Sequence, residues 1–189
     1  MPISLSKGQK FSLNKGNASA VRFIVGFGWN IELSKGTLPD IDISAFMLNT
    51  TGKVSTTKEF IFYGNLSHIS QAVVHNGNKA ANGDRVSIAV DFGKMPGSVS
   101  KIAFTATIYD AETKNQSFSQ IKNAYIRFVN EATNEEVLRY TVTDNFTNET
   151  CLVFGELYKN NSEWKFNAMG SSKTGGLAAL CGLYGVEVG

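Results

Sequence analysis

Val21-Arg22-Phe23-Ile24-Val25-Gly26-Phe27-Gly28-Trp29 alternates with a period of two. Val21, Phe23, Val25, Phe27 and Trp29 share one face of an extended chain. Arg22, Gly26 and Gly28 lie on the other, with Ile24 among them. This predicts a strand with one face on a core. Ile41 to Leu48 is apolar on both sides except at Asp42 and Ser44, and predicts an inner strand. Shorter strands are expected at Phe60 to Tyr63, Val73 to His75 and Val86 to Val90. Lys101 to Tyr109 sets Ile102, Phe104, Ala106 and Ile108 against Ala103, Thr105 and Thr107. Ala124 to Val129, Val137 to Val142, Leu152 to Tyr158 and Trp164 to Met169 complete the set.

The connections carry turn chemistry. Asn160-Asn161-Ser162 and Asn130 to Glu136 each predict a hairpin loop. Ser4-Leu5-Ser6-Lys7-Gly8 is echoed by Ser12-Leu13-Asn14-Lys15-Gly16 and by Leu33-Ser34-Lys35-Gly36. The first spacing is too short for a solenoid repeat, so the phrase reads as strand ends followed by glycine turns. One helix is expected, Leu177 to Leu183, between Gly175-Gly176 and Gly185. A short helical turn is expected around Ser119 to Lys122. The pattern predicts an all-β chain: a two-sheet β-sandwich with one short C-terminal helix, as a single domain over 1–189.

Bulk properties narrow the function. A chain of 189 residues can bury about 70% of its unfolded surface, so it needs no staples. A net charge of +2, with scattered Lys and Arg, argues against nucleic acid as partner. No apolar stretch approaches the ~20 residues of a membrane helix. Met1 to Lys10 has no apolar centre, so no secretory signal and a cytoplasmic location are expected. Triplets such as Asn65-Leu66-Ser67 then carry no glycan. Cys151 and Cys181 sit in apolar runs and read as buried free thiols.

Catalytic motifs are thin. The chain has two histidines, His68 and His75, with no Gly-x-Ser-x-Gly elbow and no Cys-x-x-Cys. Gly26-Phe27-Gly28 does not open a helix and is not a dinucleotide fingerprint; close packing of strand backbones explains it. Asp110 and Glu112, with Glu156, are the acids an enzyme would use, but a solvated strand end explains the first pair.

Asp40-Ile41-Asp42-Ile43-Ser44 is sharper. Residues two apart in a strand share a face, so Asp40, Asp42 and Ser44 bring their oxygens together. Two carboxylates forced close repel unless a proton or cation lies between them. Ca²⁺, a hard cation with oxygen ligands, answers that need; pairing with Lys or Arg, or exposure to water, answers it equally. Asn65, and Asn76, Asn78, Asn82 and Asp84 in the loop after His75, could complete such a site.

Ile3-Ser4-Leu5-Ser6-Lys7-Gly8, Gly26-Phe27-Gly28-Trp29 and Asp40-Ile41-Asp42-Ile43-Ser44-Ala45-Phe46 resemble the TerD family of tellurium-resistance and stress proteins. The resemblance continues through Phe60-Ile61-Phe62-Tyr63-Gly64-Asn65, Ile108-Tyr109-Asp110-Ala111 and Ile126-Arg127-Phe128-Val129-Asn130. It ends with Phe154-Gly155-Glu156-Leu157-Tyr158-Lys159, Trp164-Lys165-Phe166 and Gly175-Gly176-Leu177, and so covers the chain in order. It implies a β-sandwich that binds Ca²⁺ through acidic side chains, with no catalytic activity. It implies a cytoplasmic protein acting with other Ter-type stress proteins, some near the membrane, without itself inserting. With the oxygen-bearing side chains above, the expected ligands are Asp40, Asp42, Asn65, Asn78 and Asp84. The chain departs from the family pattern at Asn30 and Asn78, where Asp is usual, and in the acid-poor run from Ala80 to Arg85. These departures imply fewer or weaker calcium ions, or a metal-free interaction module.

Overall fold

Strands form where β-branched and aromatic residues alternate, and the computed structural model describes residues 1–32, 36–78 and 83–188. In chain order the strands are β1 (Ile3–Leu5), β2 (Lys10–Ser12), β3 (Arg22–Ile31), β4 (Ile41–Leu48), β5 (Phe60–Ile61) and β6 (Val73–His75). They continue as β7 (Val86–Asp91), β8 (Lys101–Ile108), β9 (Ile121–Asn130), β10 (Glu135–Thr141), β11 (Cys151–Asn160) and β12 (Glu163–Lys173). The first sheet has the order β1-β10-β9-β3-β7-β6 and the second β2-β12-β11-β8-β4-β5. Every pairing is antiparallel except β1 with β10.

The two inner faces meet in one core. Phe23, Val25 and Phe27 from β3 face Phe104 of β8 and Phe154 of β11 across the layer. The expected inward alternation of β3 and β8 is what places them there. A second apolar cluster lies on the outer face of the second sheet, under helix α2 (Gly176–Tyr184). Phe46 stacks on Phe60 at 4.5 Å and meets Tyr184 at 4.7 Å. That cover explains why β4 is apolar on both sides. Cys151 and Cys181 are buried free thiols in this cluster.

Three expectations change in detail. The strand expected at Phe60 to Tyr63 stops at Ile61, because Phe62 and Asn65 exchange backbone hydrogen bonds and close a turn. A four-residue helix, α1 (Ala111–Lys114), lies between Asp110 and Asn115, both left-handed; it is too short to leave a periodic signal. The helical turn near Ser119 is a 3-10 turn over Phe118–Gln120. The two glycine phrases close strands β1 and β2, with Gly8 and Gly16 at φ 85° and 71°. The third falls on Leu33 to Lys35, outside the described residues. No helix among the described residues is long and apolar enough to cross a membrane.

Candidate functional site

Strand β4 begins at Ile41, so Asp40 stands just ahead of it and Asp42 is its second residue. Ile41 and Ile43 point into the main core, which turns Asp42 and Ser44 outward. Ser44 is buried, Asp42 half-buried and Asp40 exposed. No hydrogen bond or ion pair reaches either aspartate carboxylate among the described residues. Partial burial, and then the nearby charge of Asp40, push the Asp42 pKa up to about 6. The pair is thus crowded, and no Lys or Arg among the described residues ion-pairs with it.

His75 ties the neighbouring loop to this edge. Its Nε2 donates to the Ile43 carbonyl oxygen at 3.0 Å, and its Nδ1 accepts from the Gly77 N–H at 3.0 Å. One ring nitrogen must donate and the other accept, so the ring is neutral; burial lowers its pKa in keeping with this. The result bridges β6 in one sheet to β4 in the other. It brings Asn78 to a depression of about 420 Å³ shared with Asp40, Asp84, Arg85 and Trp29.

The five expected ligands divide. Asp40, Asn78 and Asp84 border that depression, whereas Asp42 borders a neighbouring cleft. Asn65 borders neither. Its Nδ2 donates to the Lys58 and Phe60 carbonyl oxygens at 3.2 and 2.9 Å, so its amide holds the turn before β6. Asp84 is also committed elsewhere. Arg127 donates to it through Nε at 2.8 Å and Nη2 at 2.8 Å, and the Tyr125 hydroxyl adds a bond at 2.7 Å. Its side chain is 4% exposed. Lys79 to Asn82, the rest of the expected loop, lie outside the described residues.

Arg127 was not visible as a site residue in the sequence. Its Nη1 binds Glu136 at 2.9 Å, and Glu136 in turn binds Arg139 at 2.7 Å. Arg139 lies over the Tyr125 ring at 4.2 Å. Glycines make room for this array. A Cβ at Gly26 would overlap the Asp84 carboxylate, and one at Gly28 the Tyr125 ring. The Gly-x-Gly therefore admits side chains onto the outer face of β3 rather than letting strand backbones approach. Two glycines on one face of a strand, opposite bulky neighbours, were the available signal.

Among the described residues no group of three His, Cys, Asp or Glu could hold a metal ion. What remains for a hard cation is the Asp40–Asp42 pair with the Asn78 amide and backbone oxygens. Arg85 reduces the pull: its Nε donates to the Trp29 carbonyl oxygen at 2.8 Å, and its charge sits in the same depression as Asp40.

A family model described as TerD domain matches residues 1–184. The chain is 43% identical over 193 residues to general stress protein 16U of Bacillus subtilis, with 100% of each chain covered. It is 42% identical over 190 residues to the tellurium resistance protein TerD of Serratia marcescens, with 99% of each covered. Among solved structures, a homologue of telluride resistance protein (TerD) from Streptomyces coelicolor A3(2) superposes with a TM-score of 0.64 at 12% identity. That match covers 85% of this chain and 94% of the other, and it shows the shared fold.

Proposed function

The chain belongs to the TerD family, and from that premise we propose that it is a non-enzymatic stress-response protein holding Ca²⁺ weakly at the Asp40–Asp42 edge. Family membership places it with tellurium-resistance and stress proteins. The observation that carries the calcium reading is the uncompensated pair. Two carboxylates crowd together, one half-buried, with no cation at ion-pair distance among the described residues. A divalent ion supplies the missing charge. Charged ligands set calcium affinity over decades, and here only two are free, so binding is weak. The protein acts in the cytoplasm with other Ter-type stress proteins, without inserting into a membrane.

Calorimetry on chelator-treated protein tests this. Ca²⁺ should bind wild type and not Asp42→Asn. At about 100 times Kd an ion adds about 2.7 kcal/mol, or about 5 to 10 °C in Tm for a domain of this size. Mg²⁺ should do far less, because it demands tight octahedral geometry. One observation favours a second reading, a metal-free interaction module: Asp84 is already neutralised by Arg127, and Arg85 occupies the same depression. Absence of any heat or Tm shift at saturating Ca²⁺ selects that module.

A further inference from the structure

The outer face of the second sheet holds a cleft of about 360 Å³ that has only Asp42 in common with the proposed calcium site. Its floor includes Asp42 and Thr107, cross-strand partners in β4 and β8. Ile43, Ala106 and Ile108 alternate with them into the main core, which turns both outward. Thr107 is 2% exposed as a residue, and its hydroxyl, without a hydrogen-bond partner among the described residues, is not sealed off from the cleft. Thr105, two residues earlier on the same face, donates to the Ser44 carbonyl oxygen at 3.4 Å. The Asp42 carboxylate also has no partner among the described residues. Tyr63 and Tyr109, 59% and 57% exposed, border the cleft with Asp110, Glu112 and the start of α2.

A half-buried carboxylate without a partner among the described residues, beside a hydroxyl open to the cleft, favours a ligand that donates hydrogen bonds. Tyrosine faces attract cations. The Lys114 ammonium already lies 5.1 Å from the Tyr109 ring centre, so an alkylammonium finds this ring within the chain itself. A bare metal ion has little use for the rings, and a quaternary ammonium cannot donate to the floor. The N-terminus of α2 opposes a cation with about half a positive charge. Asp42, Asp110 and Glu112 outweigh it, and the Gly176 N–H is already taken by the Thr150 hydroxyl at 3.0 Å. We infer that this cleft binds a primary alkylammonium group, which donates to Asp42 and Thr107 and is flanked by Tyr63 and Tyr109. The group belongs either to a free amine or to a lysine side chain of a partner.

The test is NMR titration of chelator-treated, labelled protein with butylammonium, with Nα-acetyl-lysine amide and with tetramethylammonium. Both primary amines should shift resonances around Thr107 and Tyr63, and tetramethylammonium should not. Tighter binding of the lysine derivative identifies a partner's side chain as the source; tighter butylammonium identifies a free amine. Thr107→Val and Tyr63→Ser should each weaken butylammonium by about threefold. Both should leave calcium affinity unchanged, while Asp40→Asn should weaken calcium and spare the amine. The inference shares Asp42 with the calcium site but does not depend on it, so failure of calcium binding alone leaves it standing. It is overturned if no primary amine binds, if tetramethylammonium binds equally well, or if neither cleft variant changes the affinity.

Discussion

Asp84 and Asp42 are the same residue type near the same edge of the sandwich, and their surroundings are opposite. Asp84 accepts a two-pronged guanidinium and a phenol, and it sits over a glycine that leaves it space. Asp42 has a second carboxylate for company and no counter-charge among the described residues. The first arrangement is complete without a ligand; the second is not. A carboxylate with its hydrogen bonds filled holds the fold together, whereas one left in repulsion is available for exchange with a ligand.

The largest expected effect breaks the completed side. Asp84→Ala removes the two-pronged partner of the Arg127 guanidinium, which is 10% exposed and keeps Glu136, and should cost about 3 kcal/mol in urea unfolding. A loss under about 1 kcal/mol, the range of a surface pair, would show that Asp84 is not a structural anchor. Gly26→Ala attacks the same array from below, by pushing on the carboxylate. It should cost about 1 to 3 kcal/mol. In an Asp84→Ala background that cost should shrink, because the atom it collides with is gone.

On the Asp42 side the signs reverse. Its folded pKa of about 6 lies above the ordinary aspartate value of 3.8. Its contribution to stability is therefore complete below the unfolded pKa and is lost as the pH rises through about 6. Asp42→Asn should raise Tm of the metal-free protein at neutral pH. The gain should shrink as the pH falls from about 6 and vanish only well below 3.8, where the wild-type carboxyl is protonated in both states. A lower Tm at neutral pH would mean that Asp42 has an ionic partner after all.

His75 gives the smallest effect, with the opposite sign. Its folded pKa lies below 6.5, so its contribution is present above that value and is lost as the pH falls toward the folded pKa. Protonation would aim a ring N–H at the Gly77 N–H and loosen the loop that carries Asn78. In the Asp42→Asn background, hydrogen exchange at Gly77 should therefore quicken as the pH is lowered through the mid-range, after correction for intrinsic rates. Replacement of His75 by Gln, which has no such titration, should remove that dependence.

Much of the fold was legible because the core imposes a period of two. The expected strand Ile41 to Leu48 coincides with β4, and the two asparagine-rich hairpins join β9 to β10 and β11 to β12. The resemblance to the TerD family, drawn from motifs in chain order, is matched by the family model and the relatives. The site was less legible. Asp40 and Asp42 were placed together by strand geometry alone. Asn65 and Asp84 were chosen as oxygen-bearing side chains in nearby loops, and the structure gives their polar groups to backbone carbonyls and to Arg127.

The sequence by itself determined which residues extend, which turn, and which face of each strand meets the core, because these follow from alternation and local sterics within a few residues. Only the tertiary structure decided which carboxylate is neutralised. Arg127 lies 43 residues from Asp84 and reaches it through the pairing of β9 with β3. Thr107 comes beside Asp42 only when β8 pairs with β4. A charge finds its partner through strand order, and no local pattern in the chain records which strands will be neighbours.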